Sequence, residues 1–138
     1  MSRRVAVIGG GAAGQLAAIK AAEHGHEVAV FEKNEKLGKK LYITGKGRCN
    51  LTNNSGRDGF FNNVIRNPRF LYSAYAGFNE RDIMQFMETH GTPVKVERGQ
   101  RVFPISDKSS DVLRALENGI HAAGIAVHLH SHVTALKA

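Results

Sequence analysis

The chain has 138 residues, a formal net charge of +7 and a hydrophobic fraction of 42%. This length and composition are sufficient for one folded domain with a buried core. The single cysteine excludes an internal disulfide and a dithiol redox pair within the chain, and it favours a reducing, cytoplasmic location. No apolar run approaches the ~20 residues of a membrane-spanning helix, so we expect no membrane partner.

The N-terminal segment alternates between strand and helix patterns. A β-branched apolar run over 4–8 leads into a Gly-x-Gly-x-x-Gly sequence at 9–14, and a helical pattern covers 12–24. A second apolar strand over 27–31 then ends on Glu32. This order of strand, glycine turn, helix, strand and acid is typical of a Rossmann-type site for the ADP half of a dinucleotide. A glycine turn without a ligand is the competing interpretation.

Each glycine has a physical role in such a site. Gly9 permits a tight turn out of the first strand, and Gly11 lets backbone N–H groups approach a pyrophosphate. Gly14 allows the helix to lie close to the sheet. The helix begins beneath the phosphates, where unpaired N–H groups and the helix dipole favour anions.

Glu32 narrows the choice of nucleotide. A carboxylate at the end of the second strand can accept hydrogen bonds from both ribose hydroxyls, and it would repel a 2′-phosphate. NADP is therefore disfavoured at this site, whereas FAD and NAD both remain possible. The alternative is a solvent-exposed carboxylate with no ligand.

The remaining elements follow from periodicity and turn residues. Residues 33–53 and 57–67 are rich in glycine or asparagine and predict loops. The later pattern predicts helices over 68–76, 80–90 and 108–123, a hairpin of 94–96 and 101–103, and a strand over 125–133. We expect the last strand to lie parallel to the strand that ends at Glu32.

The positive charge is concentrated after Glu32. Residues 33–66 contain eight basic and two acidic side chains. A basic loop can neutralise a bound pyrophosphate, and a basic patch on an open face can bind nucleic acid. Aromatic side chains for base stacking are sparse there, so nucleic acid is the less favoured partner.

The loop after Glu32 (residues 33–53), called the motif loop below, carries a specific sequence motif. It reads Leu-Gly-Lys-Lys-Leu at 37–41 and Thr-Gly-Lys-Gly-Arg-Cys-Asn-Leu-Thr-Asn at 44–53. These blocks, with the glycine fingerprint and Arg-Val-Phe-Pro-Ile-Ser-Asp-Lys at 101–108, closely resemble the BaiN-type (aminoacetone oxidase) family of NAD(P)/FAD-dependent flavoproteins. The resemblance covers essentially the whole chain.

The resemblance implies an α/β, Rossmann-like FAD-binding domain of the glutathione-reductase type. It implies FAD as cofactor, NAD(P)H as co-substrate and a small organic molecule as substrate. Members of the family are longer, so we expect residues 1–138 to be the N-terminal part of the FAD/NAD(P)-binding domain. The remaining strands and the substrate domain would then lie outside this chain, and the sheet would be incomplete.

The candidate cofactor-binding residues combine the fingerprint with the motif loop. The fingerprint and the acid are expected at the pyrophosphate and the adenosine ribose, the motif loop near the pyrophosphate or flavin, and the main chain of Val133 at the adenine. The full set is Gly9, Gly10, Gly11, Ala12, Ala13, Gly14, Glu32, Lys33, Lys40, Gly45, Gly47, Arg48, Cys49, Asn50 and Val133.

Two features support other interpretations. Cys49 beside Arg48 could be a reactive thiolate, although a small buried side chain that packs the loop is favoured. His128, His130 and His132 alternate along one expected strand. Their spacing of about 6.6 Å per pair prevents them from converging on one metal ion, so no metal site is predicted.

Catalytic residues stay unassigned. Two functions compete with the flavoprotein hypothesis: an NAD-dependent dehydrogenase without flavin, and a flavoprotein that binds nucleic acid through residues 33–66. The oligomeric state is not predicted.

Overall fold

The computed structural model describes residues 1–137. Its strands are β1 (Arg4–Ile8), β2 (Glu27–Phe31), β3 (Thr52–Asn53), β4 (Val94–Glu97), β5 (Arg101–Pro104) and β6 (Ala126–His128). Its helices are α1 (Ala12–Glu23), α2 (Lys39–Ile43), α3 (Gly56–Asn62), α4 (Tyr72–Gly77), α5 (Glu80–Thr89) and α6 (Ser109–Ala122). Short 3-10 turns lie at Thr44–Gly47, Pro68–Leu71 and Arg98–Gln100.

A parallel sheet of order β1-β2-β6 forms the centre of the fold. Val5 pairs with Val28, and Val30 pairs with Val127, so β2 has a neighbour on each side. Val30 is fully buried at the middle of this sheet. Helix α1 connects β1 to β2, as a parallel pair requires, which confirms the predicted α/β Rossmann architecture.

The main core lies where α1 packs on the parallel sheet and on α6, and where α6 packs on α5. Ala18 and Ile19 of α1, Met87 of α5 and Leu116 of α6 are all buried there. On α1, small residues allow close packing against the strands, whereas α5 and α6 each present one apolar face.

Helix α5 has a sequence-encoded beginning. The Asn79 side chain accepts a hydrogen bond from the Arg81 N–H, and the Asp82 carboxylate accepts one from the Asn79 N–H. This capping box satisfies N–H groups that have no partner inside the helix. Gly91 follows the helix with a φ of +89°, a conformation in which glycine is favoured.

A second, antiparallel sheet has the order β3-β5-β4. The predicted hairpin is confirmed, with Val96 opposite Val102. Strand β3 pairs Thr52 with Val102 and was not predicted, because two residues carry no recognisable periodicity.

Parts of two predicted loops and the end of one predicted strand were wrong. Residues 39–43 and 56–62 are helical instead of loops. In α3, Phe60 stacks on Tyr75 with 4.9 Å between ring centres, and this tertiary packing outweighs the weak local helix preference of 56–62. The strand predicted over 125–133 ends at His128, because His130 adopts a left-handed φ of +51° that interrupts an extended chain.

Within residues 1–137, none of the helices has the length and apolar character needed to cross a membrane.

Candidate nucleotide-binding site

A groove of about 410 Å³ opens at the carboxyl ends of β1 and β2. This is the edge of a parallel sheet at which Rossmann folds bind nucleotides. It is bordered by the ends of these two strands, the glycine turn, the start of α2 and the segment after β6. The lining residues are Ile8, Gly9, Gly11, Phe31, Glu32, Lys33, Asn34, Gly38, Lys39, Lys40, Ser131, His132 and Val133.

The glycine turn places the N-terminus of α1 at this groove. Gly9 has a φ of +97°, and its N–H donates to the Phe31 carbonyl oxygen at 2.8 Å. A Cβ on Gly14 would lie 1.9 Å from the Gly9 carbonyl oxygen. Residue 14 must therefore be glycine for α1 to pack this closely against the turn.

Gly11 faces open space instead. A Cβ built on Gly11 meets no atom within 4 Å, and its φ of −75° is accessible to any residue. The fold therefore tolerates a side chain here, and the absence of one leaves room at the start of α1. The first N–H groups of that helix have no acceptor inside it, so this open side offers hydrogen-bond donors to an anion.

Glu32 is buried beside the turn, with 7% of its surface exposed. Its Oε2 accepts from the Gly10 N–H at 2.8 Å, and its Oε1 accepts from the Asn34 N–H at 2.8 Å and Asn34 Nδ2 at 2.7 Å. Burial raises the pKa of Glu32, but the hydrogen bonds from Asn34 and Gly10 outweigh it, so the pKa lies below its usual value. The side chain remains an anionic acceptor at the groove.

Basic side chains and backbone complete the border. Lys33, Lys40 and Val133 all line the groove. The Ser131 N–H donates to the Glu32 carbonyl oxygen at 2.8 Å, which holds the segment after β6 against the end of β2. Val133 thereby reaches the groove although it lies outside a strand.

Sequence reasoning missed some groove residues. Asn34 orients the Glu32 carboxylate, and its position two residues after a strand-end acid was the available signal. Gly38 was not among the candidate residues either. Its N–H donates to the Gly10 carbonyl oxygen at 2.8 Å, and its φ is +65°. No sequence pattern indicated that Ser131 and His132 would line the groove.

Other candidate residues lie beside the groove or outside its border. Gly10 is buried behind the turn, and Ala12 and Ala13 are exposed on the first turn of α1. The candidates at positions 45–50 of the motif loop do not border the groove: they are Gly45, Gly47, Arg48, Cys49 and Asn50.

Arg48 belongs to an ion-pair network. Its Nη2 lies 2.6 Å from Glu97 Oε1, and its Nε lies 3.0 Å from Asp107 Oδ1. Lys95 Nζ also contacts Asp107, at 2.8 Å. The Arg48 guanidinium lies over the Phe103 ring, with 4.1 Å between Cζ and the ring centre. These contacts fix the motif loop to the hairpin, so Arg48 is engaged by protein carboxylates.

The network shifts the pKa values of its members. The hydrogen bond from Arg48 lowers the pKa of Glu97, and hydrogen bonds from Lys95 and Arg48 lower the pKa of Asp107. The same two carboxylates raise the pKa of Arg48. All the charges in this network are therefore maintained at neutral pH.

Cys49 and Asn50 have packing roles in this structure. Cys49 is 2% exposed, and burial raises the pKa of its thiol, which disfavours the reactive thiolate. Asn50 Nδ2 donates to the carbonyl oxygens of Thr52 and Val102, both at 3.0 Å. Gly45 and Gly47 have positive φ angles of 56° and 83°, and they shape the turn that carries these side chains.

The part of the chain between residues 1 and 137 contains no group of three His, Cys, Asp or Glu side chains that could hold a metal ion. His128 stacks on Phe31, with 4.8 Å between ring centres.

Comparison with known proteins agrees with this geometry. The family profile described as HI0933-like protein Rossmann domain matches residues 3–138. The chain belongs to this family. That membership confirms the family resemblance inferred from the glycine fingerprint and the motif loop.

Two curated relatives of the HI0933-like chain are enzymes. The 3-dehydro-bile acid delta(4,6)-reductase of Clostridium scindens is 35% identical over 136 residues, which cover 97% of this chain and 32% of the relative. The ribosomal RNA dihydrouridine synthase of Escherichia coli is 28% identical over 127 residues, which cover 92% of this chain and 31% of the relative. The chain thus spans about a third of each.

A solved structure supports the fold alone. The crystal structure of Thermovibrio ammonificans THI4 superposes with a TM-score of 0.59 at 16% identity, covering 93% of this chain and 38% of that one. The shared architecture extends over nearly all of the chain.

Proposed function

We propose that this HI0933-like chain forms the ADP-binding part of the FAD site in a flavin-dependent oxidoreductase. The observation that carries the proposal is the open space beside Gly11 at the start of α1, in the groove that the buried Glu32 side chain also lines. Unpaired N–H donors and an acceptor for ribose hydroxyls are the two groups that an ADP moiety requires. The named relatives add support, because a reductase is among them.

Each groove residue has a proposed role. The backbone at Gly9–Gly14 receives the pyrophosphate, and Glu32 accepts hydrogen bonds from the adenosine ribose. Asn34 holds the Glu32 carboxylate in position, since it donates to Oε1 through both its N–H and its amide nitrogen. Lys33 and Lys40 balance the phosphate charge, and the main chain near Val133 contacts the adenine.

The proposed redox step is based on the family to which the chain belongs. Bound FAD would supply hydride or electron transfer, while the protein binds, orients and shields it. Reduction by NAD(P)H, action on a small organic substrate and a cytoplasmic location remain predictions. The motif loop is proposed to act indirectly, because Arg48 holds it against the hairpin.

The decisive experiment is the visible absorption spectrum of the purified full-length protein, followed by release and mass measurement of its ligand. A flavin absorption band and released FAD are expected. A colourless protein that binds NAD would overturn the proposal in favour of a dehydrogenase without flavin.

RNA is a second candidate substrate. The relative named as a ribosomal RNA dihydrouridine synthase favours it, and so does the basic stretch 33–66. Affinity for RNA that falls steeply with salt would support this function, because release of counterions drives binding to phosphates. Failure to bind RNA even at low salt would exclude RNA as a substrate.

A further inference from the structure

The Glu32 carboxylate accepts three hydrogen bonds from the chain itself. Oε2 accepts one, from the Gly10 N–H, whereas Oε1 accepts two, from the backbone N–H and the side-chain amide of Asn34. An ionised carboxylate offers about four acceptor positions, two on each oxygen. Within residues 1–137, three of these positions are therefore taken, and the remaining one is on Oε2.

The proposed FAD site requires more of this carboxylate. A ribose carries neighbouring 2′- and 3′-hydroxyls, and a strand-end acid that binds the whole diol must accept from both. One hydroxyl can donate to the remaining position on Oε2. The other can donate to Glu32 only if one of the three existing donors moves away.

Backbone contacts hold two of these donors in place. The Gly10 N–H belongs to the glycine turn, where the Gly10 carbonyl oxygen also accepts from the Gly38 N–H at 2.8 Å. The Asn34 carbonyl oxygen accepts from the His130 N–H at 3.1 Å, which ties the backbone of residue 34 to the segment after β6. Displacing either N–H from the carboxylate would therefore disturb further backbone hydrogen bonds.

The side-chain amide of Asn34 is the donor that can move. Asn34 is half-buried and lines the groove, so rotation of its side chain alone can turn the amide away from Glu32. Its Nδ2 lies 2.7 Å from Oε1. An amide NH₂ group and a ribose hydroxyl are both neutral donors, and either can satisfy this oxygen.

We propose that the Asn34 amide occupies the position of one ribose hydroxyl and is replaced by that hydroxyl when an ADP moiety binds. This inference rests on the FAD site proposed above and adds a residue that determines its ribose specificity. The N–H of Asn34 holds the carboxylate, while the amide exchanges with the ligand. Oε1 keeps its donors in both states, so the buried carboxylate avoids the cost of an unsatisfied acceptor.

The test compares ADP with 2′-deoxy-ADP and 3′-deoxy-ADP on the 138-residue chain and on its Asn34→Ala variant. The dissociation constant of each deoxy nucleotide, divided by that of ADP, measures what the missing hydroxyl contributes. In the parent chain this hydroxyl gains little, because it displaces a similar donor. In Asn34→Ala it displaces none, so we expect the ratio to rise at least about threefold for at least one analogue.

A role in positioning alone predicts no such rise. If the amide only held Glu32 in place, its loss would loosen the carboxylate and weaken the bonds to the ribose, so the ratio would fall or stay the same. General changes in affinity for phosphate or adenine cancel, because each ratio is taken within one variant.

Asn118→Ala is the matched control. This exposed asparagine also donates one side-chain hydrogen bond, from Nδ2 to the His90 carbonyl oxygen at 3.1 Å, and it does not line the groove. We expect its three dissociation constants to equal those of the parent chain.

NMR of the parent chain gives a second readout, which decides the matter if Asn34→Ala does not fold. The side-chain NH₂ signals of Asn34 are assigned through its own Cβ. Without ADP, one of these protons should resonate downfield and exchange slowly with water, because it is bonded to Oε1. At saturation with ADP, both protons should move to the range of an exposed amide.

Two results would overturn the exchange. One is a ratio that rises for neither analogue in Asn34→Ala, and the other is an Asn34 amide that keeps its bonded signals at saturating ADP. If ADP binds in these cases, the proposed nucleotide site is retained and the exchange alone is wrong. A parent chain that binds no ADP would contradict the site and the exchange together.

Discussion

The backbone N–H of Gly10 donates to the Glu32 carboxylate, with 2.8 Å between the nitrogen and Oε2. This bond joins the glycine turn after β1 to the residue that follows β2. One buried carboxylate therefore fixes the shape of the turn and faces the groove at the same time.

Glu32→Gln should test both roles. The amide carries one acceptor and one donor group, so the N–H of either Gly10 or Asn34 would face an NH₂ group. We expect a loss of about 1–3 kcal/mol in the free energy of unfolding, measured by urea denaturation, and weaker binding of ADP in a calorimetric titration. Glu27→Gln, at the exposed start of β2, should change neither quantity. Equal effects of the two variants would contradict the assignment.

The lowered pKa of Glu32 predicts a dependence on pH. Because the folded-state pKa lies below the unfolded one, the contribution of Glu32 to stability is complete above the unfolded pKa of about 4.3 and is lost as the pH falls through the folded pKa. Urea denaturation between about pH 3 and 6 should show a smaller acid-induced loss in Glu32→Gln than in the parent chain. Glu97 and Asp107 titrate in both proteins, so they cancel in the difference. Parallel curves would argue against the contribution.

Gly14→Ala and Gly11→Ala form a matched pair. The added methyl group overlaps the Gly9 carbonyl oxygen in the first variant, whereas it enters open space in the second. We expect Gly14→Ala to lose about 3 kcal/mol or more in the free energy of unfolding. Gly11→Ala should keep its stability and lose affinity for ADP, because the methyl group occupies the proposed pyrophosphate position. A stable Gly14→Ala chain would disprove the close packing of α1.

Arg48→Lys should loosen the motif loop. Lysine has no planar fork, so it cannot reproduce the contacts that the guanidinium makes with Glu97 and Asp107. A lower melting temperature by circular dichroism is expected. Arg114→Lys, which changes an exposed arginine paired within α6, serves as the control and should melt like the parent chain. A lowering equal to that of the control would show that the network does not stabilise the loop.

Cys49 should be unreactive in the folded chain. Its thiol is buried and its pKa is raised, so little thiolate is present or accessible at neutral pH. Iodoacetamide followed by mass measurement should label the denatured chain and leave the native chain unmodified over the same period. Since the chain has one cysteine, the readout is unambiguous. Rapid native labelling would support the reactive interpretation instead.

Local sequence was sufficient to predict the secondary structure around the glycine turn. The glycine turn, α1 and the acid after β2 lie within a short segment, and each residue type has one clear physical purpose there. The role of Arg48 was not predictable, because its partners Glu97 and Asp107 lie 49 and 59 positions away. Helix α3 was missed for a similar reason, since its stability comes from aromatic packing on α4 and not from its own composition.

The Arg48 network also has a consequence for how the chain folds. Its contacts close two long loops, and the entropy of closing such loops must be lost before the contacts can stabilise anything. We therefore expect the network to form after the folding transition state. Cutting it would speed unfolding and leave the folding rate nearly unchanged, which stopped-flow measurements on Arg48→Lys would show. On this expectation, the network slows unfolding and keeps the motif loop packed against the hairpin once the sheet has formed.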